Sequence, residues 1–121
     1  MPKHGEFNHI EFPADDLARA QRFYGAVFGW QFRPAEGMDD YVVYTAGPAD
    51  LGGGIGVRGK TAPERIRNYL AVDSIEDALA AATANGGTVM VPKTDIGFGW
   101  YAAITDTEGN EVGLYKSKSE G

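Results

Sequence analysis

The sequence predicts an α+β fold: two tandem βαβββ units forming a curved eight-stranded sheet around a cleft, with the helices outside. Three observations lead there. Asp16-Leu17-Ala18-Arg19-Ala20 returns as Ser74-Ile75-Glu76-Asp77-Ala78 at an offset of 58, and Gly29 returns as Gly87 at the same offset. Gly54-Ile55 answers Gly113-Leu114 at an offset of 59. Strand-like and helix-like patterns follow the same order in both halves. Two amphipathic helices resemble each other by chance, but matched glycines after the helix and in the last strand favour duplication. The 121 residues are expected to form one domain spanning residues 1–121, with pseudo-repeats at 5–58 and 65–116.

Each element has its own signal. From Phe7 to Phe12, apolar Ile10 and Phe12 alternate with polar His9 and Glu11, the pattern of a half-buried strand. Asp15 and Asp16 suit a helix N-terminus, Leu17, Ala20, Tyr24, Val27 and Phe28 follow at helical spacing, and Gly29 is a natural stop. Trp30-Gln31-Phe32 begins a second strand, and Tyr41-Val42-Val43-Tyr44-Thr45 is rich in strand formers. Gly52 to Arg58 reads as a fourth strand, and Gly59 to Arg65 as the connection between halves. The second half repeats this order. Arg67 to Val72 is a strand; Ser74 and Asp77 have capping spacing for the next helix, which Asn85-Gly86-Gly87 ends. Thr88 to Val91 is a strand stopped by Pro92. Trp100 to Thr105 and Glu111 to Lys116 complete the set around the turn Thr107-Glu108-Gly109-Asn110.

Composition narrows the function. There is no cysteine, which excludes disulfides, thiolate nucleophiles and cysteine-based zinc sites. A formal charge of −6 without a clustered basic surface argues against nucleic acid as a partner. No apolar run approaches the ~20 residues of a membrane span, and the start of the chain has no apolar signal core. A cytoplasmic protein with no membrane partner is the expectation. No Ser-His-Asp or dinucleotide signature is present, and Gly52-Gly53-Gly54-x-Gly56 lacks the lysine and helix that a phosphate loop needs.

The chain resembles the vicinal oxygen chelate superfamily of glyoxalases, bleomycin-resistance proteins and extradiol dioxygenases. The resemblance is carried by His9-Ile10-Glu11-Phe12-Pro13-Ala14-Asp15-Asp16, Ala20-x-x-Phe23-Tyr24, Val27-Phe28-Gly29-Trp30 and the closing Asp106-Thr107-Glu108-Gly109-Asn110-Glu111-Val112-Gly113-Leu114. It covers nearly the whole chain and speaks for fold more than function. It implies a metal held from the first and last strands of each half, positions that are His9, Gly54, Arg67 and Gly113 here. Glycine has no side-chain donor and arginine has no lone pair to give. No cofactor is therefore expected, and a divalent metal is disfavoured. A homodimer is also implied by the resemblance.

Alternation sorts the strands into faces. If Ile10, Phe12, Ile55, Val57, Leu70, Val72, Val112 and Leu114 meet the helices, then His9, Glu11, Gly54, Gly56, Arg58, Arg67, Tyr69, Glu111, Gly113 and Tyr115 face the cleft. Gly54, Gly56 and Gly113 either leave volume for a ligand or fit sheet curvature. Arg58 and Arg67 either clamp an anionic ligand or pair with Glu11 and Glu111. His9 and Glu11 are the candidate catalytic groups, as proton carriers, against a purely hydrogen-bonding role. The candidate ligand-binding set is Arg58, Arg67, Tyr69, Phe98, Trp100, Glu111 and Tyr115. Trp30, Phe32, Tyr41 and Tyr101 join Phe98 and Trp100 as aromatics near strand ends, and Asp95-Ile96-Gly97-Phe98-Gly99-Trp100 is either a lid or wall for a flat ligand or a core and dimer contact. Three functions follow: a metal-free binding protein for a small organic molecule, a glyoxalase-like lyase or isomerase with a ligand set shifted to His9, Glu11 and Glu111, and a metal-free enzyme using His9 or Glu11 for proton transfer.

Overall fold

The computed structural model describes residues 2–48 and 51–120. The α+β fold is the one expected, with each half built as strand, helix and three strands. The elements are β1 (Phe7–Ala14), α1 (Leu17–Phe28), β2 (Phe32–Pro34), β3 (Tyr41–Thr45), β4 (Gly52–Val57), β5 (Arg67–Ala71), α2 (Ile75–Ala84), β6 (Thr88–Asp95), β7 (Gly99–Thr105) and β8 (Glu111–Ser117). The chain divides into two compact units. The first is His9–Arg67; the second is Asn68–Gly121 with Met1–Asn8.

Both units use one topology. In the first, β1 pairs in parallel with β4, β4 antiparallel with β3, and β3 antiparallel with β2. In the second, β5 pairs in parallel with β8, β8 antiparallel with β7, and β7 antiparallel with β6. Glu11 lies opposite Gly54, and Tyr69 opposite Gly113, so the sequence repeat is also a repeat of register.

The helix ends obey the capping signals. Asp16 accepts from the Arg19 amide at 3.0 Å, and Gly29 closes α1 at φ 75°, a backbone region that favours glycine. Ser74 accepts from the Asp77 amide at 3.1 Å, and Glu76 and Asp77 place negative charge on the first turn of α2. One apolar core lies in each unit. Ala14, Tyr44 and Ile55 pack with Phe12, Leu17, Ala20, Tyr24, Trp30, Phe32 and Val42 in the first. Val72, Ile75, Ala102 and Leu114 pack with Ala78, Leu79, Trp100 and Ile104 in the second. Ile55 and Ile75 are completely enclosed, each contributing on the order of 1.5–3 kcal/mol from apolar burial.

Two expectations change. β6 does not stop at Pro92 but runs to Asp95. Among the second unit's strands β6 pairs only with β7, and its register shifts between Val89 and Val91 and again between Val91 and Thr94. A proline is tolerated on such an edge, where its missing N–H breaks no ladder. β2 begins at Phe32 and not at Trp30, because Trp30 turns into the core and stacks on Tyr44 at 4.3 Å.

Candidate ligand-binding site

In the first unit, His9 and Glu11 alternate along β1 with Phe12, which lies in the core, and so emerge on the opposite face. Tyr41 enters β3 opposite Gly56, and its ring leans along the sheet over Gly54. A Cβ added at Gly54 would fall inside that ring. Of the two readings open for this glycine, free volume is not what is found: an aromatic side chain occupies the space.

The Tyr41 hydroxyl sits between the two polar groups. It donates to Glu11 Oε2 at 2.5 Å and lies 2.9 Å from His9 Nε2. A phenol has one hydrogen. With that hydrogen on the carboxylate, His9 Nε2 must itself carry a proton and donate to the phenol oxygen, leaving Nδ1 as the ring's basic nitrogen. Burial lowers the His9 pKa to about 4, so the imidazole is neutral at pH 7. Glu11 is only 9% exposed, and the Tyr41 hydroxyl gives its carboxyl oxygen a hydrogen-bond partner there.

The second unit carries the same scaffold with different chemistry. Tyr69 stands where β1 has Glu11, and its ring covers Gly113 as Tyr41 covers Gly54. Tyr101 lies opposite Tyr115 across β7 and β8, and its ring is 6.3 Å from Tyr69. Phe98 is 6.3 Å from Tyr115 and 65% exposed. It sits at the tip of the β6–β7 hairpin, which is tied down. Asp95 accepts from the Gly97 amide at 2.8 Å and from Lys118 Nζ at 2.9 Å through both carboxylate oxygens. These bonds fasten the segment that the sequence offers as a lid or wall for a ligand or as a core and dimer contact. Glu111 begins β8 opposite Thr105. Arg67, the last residue of the first unit, begins β5 with 8% of its surface exposed.

The contacts of two further candidates are defined. Arg58 does not pair with Glu11. It forms an ion pair with Asp15 at 2.9 Å and donates to the Glu64 carbonyl at 2.5 Å, which fastens the chain after β4. Trp100 points into the helix-side core with Val72, Ile75, Ala102 and Leu114, while Lys93 and Lys118 lie over its ring at 4.7 and 5.2 Å. Strand alternation puts its neighbour Tyr101 on the opposite face. Tyr41 and Tyr101 were the residues undervalued in the sequence. The available signal was the repeat, because both lie two residues along the strand from the partner of a repeated glycine.

The donors do not fit the metal that the resemblance implies. Among the described residues, no group of three or more His, Asp or Glu side chains comes together to hold an ion. His9 Nε2 and Glu11 Oε2 lie 4.0 Å apart with the Tyr41 hydroxyl bonded to both. Two donors are fewer than a protein-held divalent ion ordinarily requires.

The glyoxalase-like domain family model matches residues 9–115. The chain belongs to the glyoxalase-like domain family. A glyoxylase-like domain-containing protein of Didymella fabae is 35% identical to this glyoxalase-like domain, over 91% of the chain and 92% of the relative. A protein named as a candidate glyoxylase in Mycobacterium tuberculosis is 33% identical over 97% of the chain, which spans only 49% of that relative. Among solved structures, methylmalonyl-CoA epimerase from Mycobacterium tuberculosis matches with a TM-score of 0.69 and 14% identity, over 93% of this chain and 87% of the other. A glyoxalase/bleomycin resistance protein/dioxygenase superfamily member from Vibrio splendidus matches with a TM-score of 0.63 and 11% identity, over 90% and 96%. At such identities the structural matches speak for the fold of the glyoxalase-like domain and not for its reaction. Among the described residues no helix is long and apolar enough to cross a membrane.

Proposed function

We propose that this glyoxalase-like domain is a metal-free binding protein for a small organic molecule, of the glyoxalase/bleomycin-resistance type. One observation carries the reading: the Tyr41 ring occupies the space over Gly54 and its hydroxyl joins His9 to Glu11. Among the described residues, the side-chain donors near this polar chain are too few for an ion, which supports the reading. The aromatic face of the second unit, with Phe98 exposed at its end, suits the same class of planar ligand. The test pairs elemental analysis of the purified protein with calorimetry against amphipathic aromatic compounds. A metal-poor protein that binds one of them supports the reading; a stoichiometric, tightly held divalent ion sinks it.

A second reading is a metal-free enzyme in which His9 takes a proton from its ligand. The observation favouring it is a neutral imidazole with Nε2 already committed to Tyr41. Turnover that vanishes in His9→Ala while ligand affinity persists would favour the enzyme over the binder. A cytoplasmic homodimer belongs to the same proposal; sedimentation returning a monomer at micromolar concentration would remove the dimer from it.

A further inference from the structure

The helix-side core of the first unit is not completely filled. A recess of about 270 Å³ is lined by Ile10, Phe12, Trp30, Tyr44, Ala46, Leu51 and Gly52. It lies on the face of the strands opposite His9 and Glu11, and the described residues that line it present almost only carbon. The tyrosine hydroxyl in the wall is committed, because Tyr44 donates to the Ile10 carbonyl at 2.8 Å. Burial, with Tyr24 and Glu11 nearby, raises its pKa to about 12, so it carries no charge at neutral pH.

The repeat shows that the fold does not demand this lining. At the positions equivalent by offset and register, Ile10 becomes Asn68, Trp30 becomes Thr88, Ala46 becomes Asp106, Leu51 becomes Asn110 and Gly52 becomes Glu111. The second unit keeps the same strands and topology with polar residues at these five positions, while Phe12 and Tyr44 answer to the apolar Leu70 and Ile104. The continuous apolar lining is therefore particular to the first unit.

Ring geometry narrows the occupant. Trp30 is stacked by two rings, Tyr44 at 4.3 Å and 5° and Tyr24 at 5.0 Å and 11°. Phe12 meets Trp30 and Tyr44 edge-on, at 67° and 72°. The stacked rings thus offer edges, whose positive periphery prefers the electron-rich face of another ring. An apolar cavity of roughly 150 Å³ stays dry and accepts a benzene-sized guest, so this recess has room for one ring or two fused rings.

We propose that the recess is a second binding site, for an uncharged one- or two-ring aromatic molecule. It uses none of the groups in the His9 chain and stands independently of the function proposed above. The experiment is fluorine NMR of 1-fluoronaphthalene with the whole protein. The wild type is expected to broaden and shift the signal saturably, while the charged analogue 1-naphthoate fails to compete. Ala46→Phe at the exposed rim and Leu51→Asp in the wall should each weaken binding at least about tenfold, a loss of about 1.4 kcal/mol. His9→Ala should leave it unchanged. In a Trp100→Phe background, where Trp30 is the sole tryptophan, the probe should also shift tryptophan emission. Absence of saturable binding, equal competition by 1-naphthoate, or binding lost in His9→Ala but kept in Ala46→Phe overturns the proposal. Near-UV circular dichroism identifies any variant that fails to fold, and the fluorine signal of the wild type with the emission arm, in which every lining residue is unchanged, then decides.

Discussion

The two units place different chemistry on one scaffold. In each, a glycine in the last strand lies opposite a residue of the first strand and beneath a tyrosine ring. In the first unit that opposite residue is Glu11, and the ring over Gly54 comes from Tyr41, one strand further on. In the second unit the opposite residue is Tyr69 itself, and its ring does the covering. One arrangement yields a buried carboxylate held by a phenol, the other a pair of aromatic rings. The comparison teaches that the repeated glycines record a steric need for a ring overhead, while the polarity of the site depends on where that ring comes from.

The sharpest difference between the halves is titration. His9 and Arg67 are repeat equivalents, but only His9 changes charge in the accessible range. Its pKa falls from 6.5 to about 4 on folding because burial disfavours the cation. Between those values the unfolded chain binds more protons than the native one, so stability is fully present above pH 6.5 and declines as pH falls toward 4. The loss should approach about 3 kcal/mol, at 1.36 kcal/mol per pKa unit. Denaturant titrations of wild type and His9→Gln across that window measure it. An identical slope in both proteins would break the asymmetry.

Overpacking comes next. Gly54→Ala and Gly113→Ala should each destabilise by about 1–3 kcal/mol, because each new Cβ meets a tyrosine ring. Combining Gly54→Ala with Tyr41→Ala should cost less than the sum of the two single changes, and likewise Gly113→Ala with Tyr69→Ala. Strict additivity in thermal melts would show that the rings are not what the glycines accommodate.

Tyr41→Phe removes the hydroxyl shared by His9 and Glu11 and should cost about 1–3 kcal/mol. Tyr101→Phe, at the equivalent position, should stay within about 0.5 kcal/mol. Chemical denaturation of the pair measures the contrast, and equal costs would remove it. Smallest are the surface ties. Arg58→Ala and Lys118→Ala break the pairs with Asp15 and Asp95 and should each cost less than about 1 kcal/mol. High salt should shrink that cost further.

Local signals were enough for most of the architecture. Asp16 and Ser74 announced the helix starts, and Gly29 and Asn85-Gly86 the stops, because caps are satisfied by residues a few positions away. Alternation put Phe12, Ile55, Val72 and Leu114 on the core side, where they are found. The site was only partly legible. His9 and Glu11 were marked by face and chemistry. Tyr41, thirty residues further on, was not tied to them by any local rule, since a hydroxyl 2.5 Å from a carboxylate depends on how β3 docks beside β4. Trp100 packs against the core, one of the two readings the sequence leaves open for it, because one step of alternation separates core from open face.

The sequence by itself determined the class of fold, the matched order of elements in the two halves and the absence of side-chain donors at Gly54, Arg67 and Gly113, because each rests on residue type and spacing. Only the tertiary structure decided that tyrosine rings cover both glycines, that Arg58 serves Asp15, and that an apolar recess lies behind the His9 face. Those outcomes depend on which side chains fill a given volume, and volume is shared between strands distant in sequence.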